Sequence, residues 1–378
     1  MERKRVPLGN YITEYSVRNR SGEDIPVYSV TNSQGFCTEY FDKEVASKDK
    51  TTYKIVPRGY FAYNPSRINV GSVDWQRCEG RVIVSPLYNV FSVSEKMEQQ
   101  YLFYFLKSNV GRQMIKAKAS GSVRDNLKMD MLKEMTIPER TIEEQKKCVA
   151  TLDALKTIIS LWEKELEKLD ELIKARFVEM FGTLDNPSQE FAKATLKELC
   201  NKITDGKHGG CKAEEGTERY FVGAREIYDD EVHYNTAPEI NIDEFEKDYK
   251  RCNIEIGDFL IVNTGATIGK SAIATDERTE HTLLQKSVAL LKVKKEVLNP
   301  VFLKWCYRVN TQMYIVKSAS AQPNLLLSKI NATVIYVPNI ELQNQFVSFV
   351  EQVDKSKVID INIILKGGVY NGNEFFVS

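Results

Sequence analysis

The chain is short of several things at once. It has three histidines in 378 residues (His208, His233 and His281), too few for a metal cluster built on imidazoles. His208 and Cys211 lie close in sequence but have no partner ligands nearby, so no metal site is expected. Its seven cysteines (Cys37, Cys78, Cys148, Cys200, Cys211, Cys252 and Cys306) are scattered, odd in number and never spaced Cys-x-x-Cys. That excludes a disulfide framework and suits a reducing compartment. No apolar run approaches the ~20 residues of a membrane-spanning helix, and no apolar leader core follows "MERKRVPLGN". A soluble cytoplasmic protein is therefore expected. Net charge is missing too: 52 basic residues balance 52 acidic ones, so any face that binds nucleic acid must be a local concentration of charge. No Ser/His/Asp grouping or paired-carboxylate motif stands out, so neither catalysis nor a cofactor is expected.

A phosphate loop is almost present, and it also fails. "NTGATIGKSA" (263–272) follows a strand-like run, "GDFLIVNTG", and ends in Gly-Lys-Ser. A phosphate cradle needs four residues between its first Gly and the Gly-Lys-Ser, so that successive backbone N–H groups wrap the anion. Here three residues separate Gly265 from Gly269, and Thr264 stands where the first Gly belongs. A helix should follow, but "SAIATDERTEHT" has β-branched residues and no helical apolar period. A strand–turn–strand is the better reading.

What the chain does have is an internal repeat. "SGSVRDNL" (120–127) resembles "SASAQPNL" (318–325), and both lead to a proline, in "EMTIPERTIEEQ" (134–145) and "VIYVPNIELQNQ" (334–345). Aligned on these prolines and glutamines, Pro138 pairs with Pro338 and Gln145 with Gln345 at a separation of 200. Upstream, "RGYFAYNPSRINVGSV" (58–73) matches "IGDFLIVNTGATIGKS" (256–271), pairing Gly59 with Gly257, Phe61 with Phe259, Asn64 with Val262 and Gly71 with Gly269. The near phosphate loop thus has a twin without the lysine, as a scaffold hairpin tolerates and a phosphate site does not. Each copy is rich in short strands with Gly, Asn and Pro turns, and each carries a helix-compatible stretch ("YLFYFLKSNVGRQMIKAKAS", "PVFLKWCYRVNTQMYIVKSA").

A helix is expected after each copy. Thr141 and Glu144 form a capping box, and Leu152, Leu155, Ile159, Trp162, Leu166, Leu169, Ile173, Phe177 and Met180 recur at spacings of three and four until Gly182. At 1.5 Å per residue the stretch 141–181 spans ~60 Å. The second helix begins near Glu341 with Leu342, Phe346, Phe349, Val350 and Val353, and its seam fades after about Val358, before Gly367 and Gly368. The expected divisions are a first domain at 1–140, a helix at 141–181, a linker at 182–193, a second domain at 194–338, a distal helix at 339–366 and a tail at 367–378.

Charge is uneven inside the copies. No acidic residue occurs from Gln99 to Arg124, where Lys107, Arg112, Lys116, Lys118 and Arg124 stand, nor from Val297 to Ile340, where Lys304, Arg308, Lys317 and Lys329 stand. Cations interleaved with Asn, Gln, Ser and Tyr are what phosphate and base-edge contacts require; the plainer alternative is a solvated face that lacks acids. The candidate DNA contacts are Asn64, Arg67, Lys107, Arg112, Lys116, Lys118 and Arg124 in the first copy, and Thr264, Lys270, Lys304, Lys317, Gln322 and Asn324 in the second.

Taken in order, the duplicated domains, "NPSRINVGS" and "GATIGK" after a Gly-x-Phe strand, "SGSVRDNL…IP…EEQ" and the helix ending "LIKARFVEMFG" make the chain resemble the specificity subunits of type I restriction-modification systems over about residues 5–358. The resemblance implies a mixed α/β fold with two similar DNA target-recognition domains joined by long antiparallel, coiled-coil-like helices. Each domain would read one half of a split double-stranded target. The helices would dock methyltransferase subunits and, through them, motor-nuclease subunits, with adenine methylation and cleavage residing in those partners. Leu152, Leu155, Ile159, Trp162, Leu166, Leu169 and Ile173 are then the expected partner contacts, and the helix would set the spacing between half-sites. "NPSR" (64–67) lacks the second proline and the aromatic of the adenine-methyltransferase motif and reads as a turn. The tail "IDINIILKGGVYNGNEFFVS" departs from the family pattern and leaves the distal helix in question. Two other classes remain at this point, a coiled-coil interaction protein and a P-loop-like nucleotide-binding enzyme.

Overall fold

The computed structural model describes residues 3–38, 49–119, 126–314 and 324–368, with side chains described up to residue 357. Contacts group the chain into two compact units, one containing Met1–Trp162 and the other Glu163–Ile361. Each unit is built on a four-stranded antiparallel sheet. In the first the strand order is Ile12–Glu14, Asn89–Val93, Phe61–Tyr63, Val73–Trp75; in the second it is Cys200–Asp205, Val288–Val293, Phe259–Val262, Ser271–Ile273. The order is the same in both.

Strand alternation explains the two-sided burial of these sheets, because successive side chains point to opposite faces. Phe61 and Tyr63 pack with Tyr101, Leu102 and Phe105 of the helix Gln99–Lys107, while Ala62 packs with Val56, Val82, Val84 and Val90. In the second unit Phe259 and Ile261 pack with Phe302 and Tyr307 of the helix Pro300–Val309, and Leu260 and Val262 with Val222, Leu284 and Val288. A helical layer thus covers one face and further β-structure the other. The first helix-compatible stretch is two helices, Gln99–Lys107 and Asn109–Ala119. Ser108 divides them: its hydroxyl donates to the Phe105 carbonyl and accepts the Gly111 N–H, closing one helix and capping the next.

The outer layers differ. The first unit has the hairpin Ser29–Thr31/Gly35–Cys37 and the antiparallel pair Lys54–Pro57/Arg81–Val84. The second has a parallel pair, Tyr220–Val222 with Thr282–Leu284, a short hairpin, Ile227–Tyr228/Glu231–Val232, and a helix, Ile242–Tyr249.

The first long helix runs Ile142–Phe181 without an internal Gly or Pro. Its capping box forms, with Thr141 Oγ1 accepting the Glu144 N–H at 3.3 Å and Glu144 Oε2 accepting the Thr141 N–H at 2.9 Å. Gly182, at φ +72°, ends it in the left-handed conformation. The second long helix runs Ile340–Gly368, capped by Asn339 through the Leu342 N–H. Its backbone therefore stays helical well past Val358, where the apolar seam was expected to fade. β-Branched residues cost a helix only tenths of a kcal/mol each, which is too little to end one. Inside the second unit the two helices run antiparallel: Asp170 meets Lys357, Arg176 lies over the Phe349 ring, and Phe181 packs on Phe346.

The backbone bonds correct the alignment of the repeat. Gln145 donates to the Lys96 and Arg140 carbonyls and accepts the Glu98 N–H. The residue that does the same in the second unit is Gln343, which donates to Val297 and Pro338 and accepts from Asn299. Both are buried, whereas Gln345 is exposed. Gln145 and Gln343 lie 198 positions apart, as do Phe61 and Phe259, and the pairs Leu127 N–H to Pro65 and Leu325 N–H to Asn263 keep the same offset. Matching letters had placed the helix start two residues out of register.

Candidate nucleic-acid interface

The segment that resembles a phosphate loop is the turn of a hairpin. Ile261 pairs with Ser271 and Phe259 with Ile273, and a strand follows where a cradle needs a helix. Gly265 and Gly269 take φ of +100° and +91°, which bends the chain back so that the Val262 N–H reaches the Lys270 carbonyl. The twin turn does the same from Asn64 N–H to Ser72, with Gly71 at φ +97°. Lys270 is exposed on the hairpin, and Ser72 is its counterpart. The nucleotide-binding alternative loses its structural basis here.

Beside this hairpin each unit has a concave surface. In the first, about 530 Å³ is enclosed by Ser29–Ser33, Tyr28, Tyr53 and Tyr88, together with Asn64, Arg67 and Ser85. Asn64 Oδ1 accepts from the Ser66 N–H and hydroxyl at 3.1 and 2.9 Å, so "NPSR" is a turn, as its sequence suggests, and Arg67 is exposed at its end. In the second, about 410 Å³ is lined by Lys207, Gly209, Thr264, Gln285, Lys286, Ser287 and Asn324. Thr264 and Asn324 pair across the opening, Oγ1 to Oδ1 at 3.3 Å. Phe91 faces Phe61 as Leu291 faces Phe259, so Ser85 and Gln285 enter equivalent strands. The two concavities therefore occupy one corner of a shared scaffold, and both present amides and cations, but the first adds three tyrosines that the second lacks.

The remaining predicted contacts divide into four groups. Lys107 Nζ donates to the Asn32 carbonyl at 2.9 Å and its side-chain oxygen at 3.3 Å, at the rim of the first concavity. Arg112 and Lys116 are exposed on the helix Asn109–Ala119. Two cations are already compensated: Lys118 pairs with Glu134, and Lys304 with Asp230 at 3.0 Å, with its side chain 17% exposed. Both came from runs without acidic residues, and the fold brings the acid from elsewhere in the chain. Arg124, Lys317 and Gln322 lie outside the described residues.

The seam of the first long helix is also not one surface. Ile173 is fully buried with Phe177 and Phe181 in the core of the second unit, and Leu169 packs against that core, so neither is available as a contact for a partner subunit. Leu152 packs against the core of the first unit. Leu155, Trp162 and Leu166 are half-buried, whereas Ile159 is exposed, as are Ile158 and Leu161 outside the predicted set.

Sequence reasoning missed Tyr28, Tyr53, Tyr88, Lys207, Gln285 and Lys286, because they come from segments with no repeat signal. Lys207 is held charged, its pKa raised chiefly by its bond to Asp248 and also by Glu244. Lys286 is exposed and has no ion pair among the described residues. Each amide, Gln285 and Asn324, offers the adjacent donor and acceptor that an adenine edge can match, and cations at the rim suit phosphates.

The family model described as Type I restriction modification DNA specificity domain matches residues 8–171 and again 188–364. The chain is similar to the type I restriction enzyme EcoBI specificity subunit of Escherichia coli, at 22% identity over 377 residues, covering 86% of this chain and 77% of that one. Its fold is similar to a solved chain described under the structural basis of complex assembly and conformational transition of the type I R-M system. There the TM-score is 0.61 at 15% identity, over 98% of this chain and 96% of that one. A crystal structure of the type I restriction-modification S subunit from M. genitalium gives a TM-score of 0.49 at 15% identity, over 99% and 96% of the two chains.

Proposed function

The chain belongs to the family of type I restriction-modification DNA specificity subunits, and from that premise we propose that each unit reads one half of a split double-stranded target. The domain boundaries at 1–140 and 194–338 are part of this reading. The observation that carries it is the pair of equivalent concavities with different linings. One scaffold presenting two unlike surfaces is what reading two unlike half-sites requires, since base edges are told apart by local donor and acceptor patterns. Asn64, Arg67, Lys107, Arg112 and Lys116 serve the first half-site, and Thr264, Lys270, Gln285, Lys286 and Asn324 the second. The chain supplies no chemistry of its own: adenine methylation and cleavage belong to methyltransferase and motor-nuclease subunits that assemble on it in the cytoplasm.

Binding to a randomised duplex library tests this directly. Replacing Gln285 and Asn324 by Ala should relax preference in one half-site by roughly 1–3 kcal/mol per lost base contact and leave the other half-site unchanged. Altered preference in both halves, or in neither, would sink the assignment.

A further inference from the structure

One face of the first unit gathers cations that aromatic rings hold in place, and although Arg77 pairs with Asp74, Lys107 and Lys156 have no carboxylate partner among the described residues. Arg77 lies over the Trp75 ring at 4.3 Å and the Phe103 ring at 5.8 Å, Lys107 over Phe103 at 5.6 Å, and Lys156 over Tyr104 at 4.4 Å. Trp75 is itself fixed, its Nε1 donating to Gln100 Oε1 at 3.1 Å. The nearby acids have other hydrogen-bond partners within the patch. Asp74 accepts from Arg77 and from the Phe36 and Trp75 N–H groups, and Asp153 accepts the Tyr104 hydroxyl. Lys107, Arg112 and Lys156 have no ion pair among the described residues.

Lys107 feels this directly. Burial lowers its pKa chiefly, the Asp74 carboxylate raises it, and Arg112 and Lys156 lower it by smaller amounts. Its ammonium donates to Asn32 beside Gly71, whose missing side chain leaves that approach open. Cation–π contact positions a charge without cancelling it, so the free protein keeps a half-buried ammonium, with two further cations nearby and no carboxylate paired to it among the described residues, that an anion would relieve.

We propose that Lys107, Arg112 and Lys156 together hold backbone phosphates of the duplex, so that the long helix, through Lys156, belongs to the DNA surface of the first unit. This rests on the reading that the unit binds duplex. It goes further in placing a residue of the helix, and not only of the sheet domain, at the nucleic acid. The contacts are to phosphates and therefore indifferent to sequence.

Salt titrations of duplex binding by the full chain test the proposal. Lys156→Ala, at an exposed position where folding is not at stake, should lower the slope of log K against log salt by about 0.9, and Lys107→Ala by a similar amount. Both should weaken target and non-target duplexes equally, and Lys156→Arg should restore the slope. Lys118→Ala, removing a cation already paired with Glu134, should leave it unchanged. An unchanged slope for Lys156→Ala overturns the proposal. So does an unchanged slope with lost assembly on partner subunits, which would mark an acidic protein surface as the occupant. A wild-type chain with a salt slope but no sequence preference would instead overturn the half-site reading and leave this patch standing.

Discussion

In the first unit Phe61 and Tyr63 pack beneath the helix Gln99–Lys107, and in the second Phe259 and Ile261 pack beneath Pro300–Val309. Around these cores the two copies keep the same strand order, the same left-handed glycines and the same buried glutamine at the helix start. On the opposite face they part: a hairpin and a hollow with three tyrosines in one, a parallel pair, an extra helix and a hollow without them in the other. The difference separates two demands on one fold. Residues between sheet and helix are fixed by close packing, where a change of one methylene is felt, whereas the outer layer is free to vary with what it must touch.

The register of this comparison rests on Gln343 rather than Gln345, and breaking it should give the largest effect. Gln343→Ala removes three bonds from a fully buried amide and leaves the Asn299 N–H and the Val297 and Pro338 carbonyls unmatched. A loss of about 3 kcal/mol is expected in denaturant unfolding of the second unit. Gln145→Ala should do the same to the first unit, and Gln345→Ala should stay within about 0.5 kcal/mol of wild type. Equal effects at 343 and 345 would return the repeat to the other alignment.

The twin hairpins sharpen it next. A Cβ on Gly269 would stand 2.3 Å from the Tyr314 ring at φ +91°, so Gly269→Ala should cost roughly 2–3 kcal/mol. Gly265, at φ +100° with nothing within 4 Å, should lose only about 1 kcal/mol from backbone strain. At Gly71 the obstacle is the Asn32 side chain, which can turn away, so Gly71→Ala should fall between them. Thermal unfolding of the three variants checks the order.

The smallest effect distinguishes the two helix starts by pH. Bonds from the Thr141 N–H and from Arg3 hold the Glu144 carboxyl at about 2, below its ordinary 4.5, while the second helix is capped by Asn339, which does not titrate. A depressed carboxyl contributes stability that is present above its unfolded pKa and lost as pH falls through the folded one. Protection of the amides at the start of the first helix, taken relative to their intrinsic exchange at each pH, should therefore fall between about pH 4.5 and 2, and protection at the second should not. Glu144→Gln should abolish the difference; a difference that survives it would assign the effect to another group.

The long helix was legible because its apolar residues recur every three or four positions from a capping box to Gly182 over 40 residues, a pattern that local geometry alone produces. The false phosphate loop was legible for a similar reason, since spacing and the absence of a following helix are local facts. The site was legible only in part. Thr264 and Asn324 were both named from sequence and do meet, but Gln285, Lys286 and the three tyrosines were invisible, having no periodicity and no twin. The acid-free runs misled at Lys118 and Lys304, whose partners Glu134 and Asp230 come from outside those runs.

Sequence by itself determined the duplication, the positions of both long helices, and the hairpins that carry Gly71 and Gly269, because helix period, capping and turn chemistry act over a few residues. Tertiary structure decided which cations remain available, which of the seam residues are spent inside a core, and which side chains share a hollow. Those are properties of residues brought within a few ångströms across tens or hundreds of positions, and a linear pattern holds no record of distance.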